Sequence, residues 1–400
     1  MTGQTPLAGV RVLELARILA GPWAGQLLAD LGAEVIKVES PAGDDTRRWG
    51  PPFADYGDGT PDAAYYHACN RGKQSIIADF TRAEDVARVQ ALAAQADVVI
   101  ENFKLGGLAQ YGLDYAAISA INPAVIYCSI TGFGQDGPYA ARPGYDFVVQ
   151  GMAGLMDLTG DPAGEPQKVG VAFADIFTGM YATVAIQAAL LMRQRTGQGQ
   201  WIDMALLDVM TGVLANQAMN ALFAREQGLP GPTRMGNAHP NVAPYAVFPT
   251  ADGWFILAVG NDAQFRAACD VLALADVRDD PRYADNGGRI AHRAELTVAI
   301  ANATATWLRD DVLAALARAN VPAGPINTVD QALADPQILA RAMVGMASDG
   351  AGGSVPAVRT PIRFSNAQLA PLRAAPRHGG DNATVTGFRP RATGNILSGD

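Results

Sequence analysis

Alternation of strand-like and helix-like segments through the first 130 residues constrains this chain more than any other feature. Residues 9–15 (Gly-Val-Arg-Val-Leu-Glu-Leu) read as a strand, Trp23 to Leu31 as a helix with Pro22 near its start, and Ala33 to Glu39 as a second strand. Strands joined by a helical crossover run parallel and need cover on both faces. The pattern continues with Ser75–Phe80 as a strand, Ala83–Ala96 as a helix, and Asp97–Glu101 and Ala124–Ile130 as strands. The expected class is α/β, with a large Rossmann-like domain built on a mainly parallel sheet.

A lone carboxylate stands ahead of the longest apolar stretch. Asp175 follows Val169-Gly170-Val171-Ala172-Phe173-Ala174 and precedes Ile176 to Met192, which is apolar on nearly every face and predicts a buried helix. Arg193, Arg195 and Gly197 supply cationic partners for the helix dipole and a stop. In that position Asp175 is expected to be the N-cap, held ionised by backbone amides and the dipole. A poorly hydrated carboxylate at a helix end also suits a nucleophile.

Composition changes near Gly228–Pro232. Beyond it, Tyr245–Phe248 and Trp254–Val259 flank Ala251-Asp252-Gly253 as a hairpin, with helices from Asp262 and Ala294. The expected organisation is a large domain from 1–200 and 335–400, a linker at 201–224, a smaller α+β domain at 225–330 and a return linker at 331–334. The Gly- and Pro-rich tail, with short strand candidates at Ser354–Val358 and Ile362–Phe364, returns to the first domain in this reading. No internal repeat is present.

Several function classes drop out. Thirty basic against 39 acidic residues give a net charge of −9 without a Lys/Arg cluster, which argues against a nucleic-acid partner. The turn Arg17-Ile18-Leu19-Ala20-Gly21-Pro22-Trp23-Ala24-Gly25 lacks the close glycine pair of a dinucleotide site, although Glu39 stands where a ribose-binding acid would. His67, His239, His292 and His378 form no metal-spaced pair, so no metal is expected. Cys69, Cys128 and Cys269 are far apart and odd in number, as in a reducing compartment. The opening Met1-Thr2-Gly3-Gln4-Thr5-Pro6 has no signal pattern, and the expected location is cytoplasmic, with no membrane partner.

Other segments fall where open α/β sheets place ligands. Glu101-Asn102-Phe103 ends a strand, and Arg142-Pro143-Gly144-Tyr145-Asp146 follows another. Asp44-Asp45-Thr46-Arg47-Arg48-Trp49 offers paired guanidiniums suited to carboxylate or phosphate, and the loop Met235-Gly236-Asn237-Ala238-His239-Pro240-Asn241 has the composition of a site-lining loop.

Taken in order, these landmarks resemble the class III coenzyme A transferases, a family that also includes α-methylacyl-coenzyme A racemase. The resemblance rests on Leu-Ala-Gly-Pro at 19–22, Leu-Gly-Ala-Glu-Val-Ile-Lys-Val-Glu at 31–39, Asn-Arg-Gly-Lys-Gln-Ser-Ile at 70–76 and Val-Ile-Glu-Asn-Phe at 99–103. It extends through Ser-Ile-Thr-Gly-Phe-Gly at 129–134, Arg-Pro-Gly-Tyr-Asp at 142–146, Asp175 and Arg-Thr-Gly-Gln-Gly-Gln at 195–200. His239 to Phe248, Gly260 to Phe265 and Val321 to Pro325 are similar to the glutarate/succinyl-coenzyme A branch.

The resemblance implies an interlocked, ring-like homodimer acting on acyl-coenzyme A and carboxylate substrates, with no permanently bound cofactor. It implies that Asp175 carries the acyl group and then coenzyme A as a thioester. Gly72, Lys73, Gln74, Ser75, Asn102, Phe103 and Lys104 would contact adenine and phosphates, and Arg142 and Tyr145 the pantetheine and thioester. Arg17, Arg47 and His239, with Arg48, would meet a second carboxylate on a short dicarboxylic acid. Backbone amides near the start of the Asp175 helix would stabilise oxyanions. The racemase branch has a histidine where Tyr145 stands, and without that second acid/base group proton exchange on both faces of an α-carbon is hard to run. The formyl-coenzyme A branch has a glutamine where Leu19 stands. The expected activity is therefore transfer from a donor such as succinyl-coenzyme A to glutarate, itaconate or mesaconate, ahead of a racemase or a non-catalytic coenzyme A-binding protein.

Overall fold

A computed structural model describes residues 4–54, 59–350 and 352–390. The chain divides into two compact units, one from Met1–Leu155, Lys168–Ala218 and Pro336–Asp400, the other from Met156–Gln167 and Met219–Asp335. The excursion Met156–Gln167 therefore groups with the second unit, which the sequence pattern does not signal. Part of the tail expected in the large domain, beyond residue 390, lies outside the described residues.

The first unit is built on six strands: β1 (Arg11–Glu14), β2 (Glu34–Glu39), β3 (Gln74–Ile77), β4 (Val98–Glu101), β5 (Ile126–Thr131) and β6 (Gln200–Ala205). They lie in the order β3-β2-β1-β4-β5-β6, every neighbouring pair parallel. Alternate residues enter opposite cores. Val12, Val35, Ile100 and Cys128 face one, and Leu13, Ile36, Val99 and Tyr127 the other. This double burial explains the nearly continuous apolar strand sequences. The chain leaves β1 for one side of the sheet and enters β4 on the other, so β1 and β4 flank the topological switch point where such sheets bind ligands.

Helices α1 (Ala20–Asp30), α2 (Ala64–Cys69), α3 (Ala83–Ala93), α4 (Asp146–Met152), α5 (Phe173–Thr196) and α6 (Leu206–Val213) complete the framework. The stretch 201–224, expected as a linker, is largely regular structure, beginning with β6 and α6, and the boundary between the units falls within it, after Ala218. The C-terminal segment returns to this unit and covers its edge strand: Ser75 N–H donates to Asp381 Oδ2 at 2.9 Å and Ile77 N–H to Asn382 Oδ1 at 2.8 Å. Carboxylate and amide side chains thereby occupy donors that would otherwise recruit another strand. Ser354–Val358 pairs antiparallel with Val344–Ser348, whereas Ile362–Phe364 forms no strand.

Helix α5 runs 24 residues and ends at Gly197, whose φ of 69° suits glycine. It is long and apolar enough to cross a membrane by length and composition, yet Ala174, Ala182, Ile186, Ala189 and Leu190 pack into the sheet's core. It is not buried all round as the sequence suggests. Met180, Tyr181, Val184, Leu191 and Met192 are exposed, Val184 by 65%.

In the second unit, β7 (Tyr245–Thr250), β8 (Gly253–Ala258) and β9 (Ala323–Pro325) form an antiparallel sheet ordered β9-β8-β7. Phe248, Phe255 and Leu257 pack with Phe265, Leu296, Ile300 and Leu316 from its helices. The hairpin between β7 and β8 lies where the alternation predicts it.

Candidate active site

Asp175 lies inside α5, at its third residue, and does not cap the helix. Ala172 holds the N-cap position and makes no side-chain cap. The cap comes from α4: Asp146 Oδ1 accepts the N–H of Ala174 at 2.7 Å and of Asp175 at 3.3 Å. Asp146 Oδ2 in turn accepts from Gln150 Nε2 at 2.8 Å, and Gln150 Oε1 accepts Val169 N–H at 3.0 Å. Gln150 is fully buried, so the turn leading into Asp175 is held by a satisfied polar network.

Burial first, and then the Asp146 charge, push the Asp175 carboxyl up to about 7. The expectation of a firmly ionised carboxylate is thus corrected: the helix-start amides that would favour the anion are occupied by Asp146. For the same reason the amides of Ala174 and Asp175 are not free to hold an oxyanion.

The surroundings of Asp175 depend on close backbone approach. A Cβ on Gly179, one turn along α5, would lie 2.6 Å from the Ala20 carbonyl oxygen and 2.9 Å from Trp23 Cβ, so only glycine admits α1 there. A Cβ on Gly144 would lie 2.5 Å from Gly132 Cα, which seats the segment before α4 against the turn leaving β5. Tyr65 of α2, absent from the sequence expectations, is also a neighbour. Burial first, then the charges of Asp175, Cys69 and Asp146, push its phenol up to about 12, keeping it a hydrogen-bond donor near neutrality. Its ring meets Trp49 edge-on at 5.3 Å. Tyr145 is 62% exposed at the start of α4, and Arg142 lies over the rings of Tyr139 and Phe133 at 4.6 and 5.9 Å.

At the switch point, a cavity of about 410 Å³ lies at the carboxyl ends of β1 to β4, lined among others by Arg17, Glu39, Asp44, Phe80, Thr81 and Phe103. Arg17 N–H donates to Asn102 Oδ1 at 2.9 Å while Asn102 Nδ2 donates to the Arg17 carbonyl at 2.7 Å. Next to this staple, Ile18 adopts a φ of 73°, a strained conformation for a β-branched residue. Its N–H donates to Asp44 Oδ2 at 3.2 Å, which helps to hold that strain. Phe103 stacks on Phe80 with ring centroids 6.2 Å apart. Lys104 is exposed and has no ion pair among the described residues, while Arg17 pairs with Asp45 at the surface.

Three expected contact residues are occupied inside the fold. Lys73 donates to Glu14 Oε1, the Pro22 carbonyl and Asn70 Oδ1, each at 2.9 Å, which uses all three protons of its ammonium. Arg47 forks onto Glu39 at 2.8 and 2.7 Å, pairs with Asp62 at 2.9 Å and lies 3.7 Å from the Tyr66 ring centroid. Ser75 Oγ donates to Glu39 at 2.6 Å. Lys73, Ser75 and Arg47 are thus buried, paired side chains that support the sheet end. Lys37 joins them, bonded to Glu14 at 3.1 Å and Asp44 at 2.9 Å. Against the cost of burial, Arg47 and Lys37 hold the Glu39 carboxyl at about 2. Gly25 makes room for this network, since a Cβ there would stand 1.8 Å from Glu14 Oε2.

Gly72 and Gln74 line a different cavity, of about 950 Å³, shared with the C-terminal segment and away from the one that Phe103 lines. Arg48 is exposed, donating to the Ala42 carbonyl and Asp45. His239 lies in the second unit. Its Nδ1 accepts Asn241 N–H at 3.1 Å, which puts the ring proton on Nε2 and leaves that atom a donor. Arg293 binds the carbonyls of His239 and Pro240, fixing the loop. Among the described residues no group of three or more His, Cys, Asp or Glu is arranged to hold a metal.

The family model described as CoA-transferase family III matches residues 7–382. A succinate–glutarate CoA-transferase of Agrobacterium fabrum is 56% identical over 382 residues, covering 95% of this chain and 94% of that protein. The human succinyl-CoA:glutarate CoA-transferase is 39% identical over 403 residues, covering 100% of this chain and 90% of the relative. A crystal structure of a CaiB/BaiF family protein from Brucella suis is 59% identical, covers 95% of this chain and 98% of its own, and superposes with a TM-score of 0.85.

Proposed function

The chain belongs to CoA-transferase family III, and from that premise we propose that it moves coenzyme A from succinyl-coenzyme A to glutarate or a related short dicarboxylate through a thioester on Asp175. The observation that carries this reading is the Asp175 carboxyl, partly buried at the start of α5 and poised at about 7. A carboxylate of raised basicity is a better nucleophile than a surface aspartate and is still ionised in good part at neutral pH.

An Asp175 oxygen attacks the donor thioester carbon. The C–S bond breaks, coenzyme A leaves as thiolate, and a mixed anhydride forms. The thiolate attacks Asp175 Cγ, the Cγ–O bond to the acyl group breaks, and the donor acid leaves, so that Asp175 carries coenzyme A. The acceptor carboxylate then attacks Cγ, expelling the thiolate, which attacks the acceptor's acyl carbon and frees Asp175. No permanently bound cofactor takes part; coenzyme A thioesters are substrates.

We assign the nucleotide end of coenzyme A to the switch-point cavity. Phe103 offers an aromatic wall, Asn102 fixes the Arg17 turn, exposed Lys104 provides a cation for phosphates, and the exposed Arg17 guanidinium is kept for the acid's second carboxylate. Exposed Arg142 and Tyr145 are assigned to the pantetheine and thioester, and His239 Nε2–H to an acid carboxylate. Relatives named for glutarate support a short dicarboxylate as acceptor; others are named for mesaconate and D-citramalate. The apolar outer stripe of α5, Met180 to Met192, supports a homodimer, which family resemblance makes interlocked. The three cysteines are buried and unpaired, which supports a cytoplasmic location.

Incubation with succinyl-coenzyme A and a panel of carboxylates in deuterium oxide, read by mass spectrometry, tests the reading. New acyl-coenzyme A species without α-deuteration support transfer. Deuterium entering a branched acyl group with no new thioester would instead mark a racemase.

A further inference from the structure

We propose that Asp146 is the positioning residue of this site: its carboxylate fixes the backbone from which Asp175 projects, and its negative charge tunes the reactivity of the Asp175 carboxylate. The inference rests on the reading of Asp175 as nucleophile and adds a role for a residue that no assignment above requires.

The geometry gives Asp146 both tasks. One oxygen accepts the amides of Ala174 and Asp175, and the other is held by fully buried Gln150, which also binds Val169 N–H and lies 3.5 Å from the Val171 carbonyl. The carboxylate is thus fixed beside the helix start by α4 and by the turn before α5. The close approach of Gly144 to Gly132 leaves α4 little freedom to shift.

Of the groups facing Asp175, Asp146 comes from α4 and the Tyr65 phenol from α2. Helix α1 presents Ala20 and Trp23, and its one acid, Asp30, pairs with Arg71 at 3.1 Å. On the other elements packed against α5, the ionisable groups are Asp208 of α6, Asp203 of β6 and the Tyr127 and Cys128 side chains of β5. Burial and the Asp146 charge together raise the Asp175 carboxyl. Two negative charges held close disfavour the free carboxylate. When an Asp175 oxygen bonds to the acyl carbon and the electron pair leaves with the thiolate, that repulsion is relieved. Asp146 therefore raises the ground state of Asp175 relative to its acylated and thioester forms.

Asp146→Asn removes the charge and keeps an oxygen that can accept both N–H groups, giving up the hydrogen bond from Gln150 Nε2. Asp146→Ser, a second neutral cap, serves if the asparagine variant folds poorly. The measurement is a carbon-13 titration of aspartate-labelled protein, with Asp175→Asn locating the Asp175 signal, run beside the pH profile of kcat/KM with succinyl-coenzyme A and glutarate. The expected result is a midpoint for Asp175 lower by about one pH unit in the folded neutral variant, with a matching move of the acidic limb. An Asp175 midpoint that stays in place in a folded neutral variant overturns the proposal, whatever the rate of transfer. A shifted midpoint in a protein that transfers coenzyme A to no acid supports the coupling and removes the transferase reading.

Discussion

Asn102 and Arg17 hold each other at both ends of one peptide turn, by the Arg17 N–H to Asn102 Oδ1 bond at 2.9 Å and the Asn102 Nδ2 to Arg17 carbonyl bond at 2.7 Å. They join the loops leaving β1 and β4 across the switch point and fix the mouth of the cavity assigned to coenzyme A. Asn102→Ala should raise KM for succinyl-coenzyme A about tenfold, the size of one or two lost hydrogen bonds, with a small change in kcat. Steady-state kinetics with the acid held saturating checks this; an unchanged KM would remove Asn102 from the binding region.

Arg47 is expected to act on the fold. Removing one partner from a buried ion pair costs about 3–5 kcal/mol, and Arg47 is shared by Glu39 and Asp62. Arg47→Ala should therefore lower urea stability by about that amount. An Arg47→Ala protein of native stability that loses only affinity for the acid would return Arg47 to the substrate.

The Asp175 carboxyl predicts a pH-dependent stability change. Its folded value, about 7, lies above its ordinary 3.8, so its contribution is fully present below the unfolded value and is lost as pH rises through about 7. Asp175→Asn, which cannot ionise, should leave stability near wild type at pH 4 and raise it at pH 8. At about 1.4 kcal/mol per pH unit the gain is at most about 4 kcal/mol. Urea titrations at the two pH values measure it, and equal effects at both would contradict the raised carboxyl.

His239 offers Nε2–H as a donor because Asn241 N–H occupies Nδ1. His239→Ala should raise KM for the acid by about ten- to a hundredfold, as for a hydrogen bond to a charged group, and leave KM for succinyl-coenzyme A nearly unchanged. A change confined to the coenzyme A substrate would place the ring elsewhere in the reaction.

Much of the fold is legible because strands buried on both faces write long apolar runs, and the helices between them carry their own period. The place of Asp175 near the start of α5 follows from the apolar stretch behind it. Its cap does not, because Asp146 lies 29 residues upstream and reaches Asp175 only through tertiary structure. Arg47 and Arg48 are adjacent and alike in sequence, yet a tight turn at Asp45–Arg48 sends one inward to Glu39 and the other to solvent. Lys73 is a similar case, a basic residue in a promising motif whose partner, Glu14, comes from another strand. Tyr65 carries no local signal, since its relation to Asp175 is set by how α2 and α5 each pack against α1.

On the proposed mechanism, Asp175 carries coenzyme A during turnover. Intact-protein and peptide mass spectrometry after brief incubation with succinyl-coenzyme A and no acceptor tests it directly. A coenzyme A adduct is expected on the peptide holding Asp175, discharged by glutarate and absent from Asp175→Asn. Steady transfer with no adduct on that peptide, or transfer retained by Asp175→Asn, would contradict it.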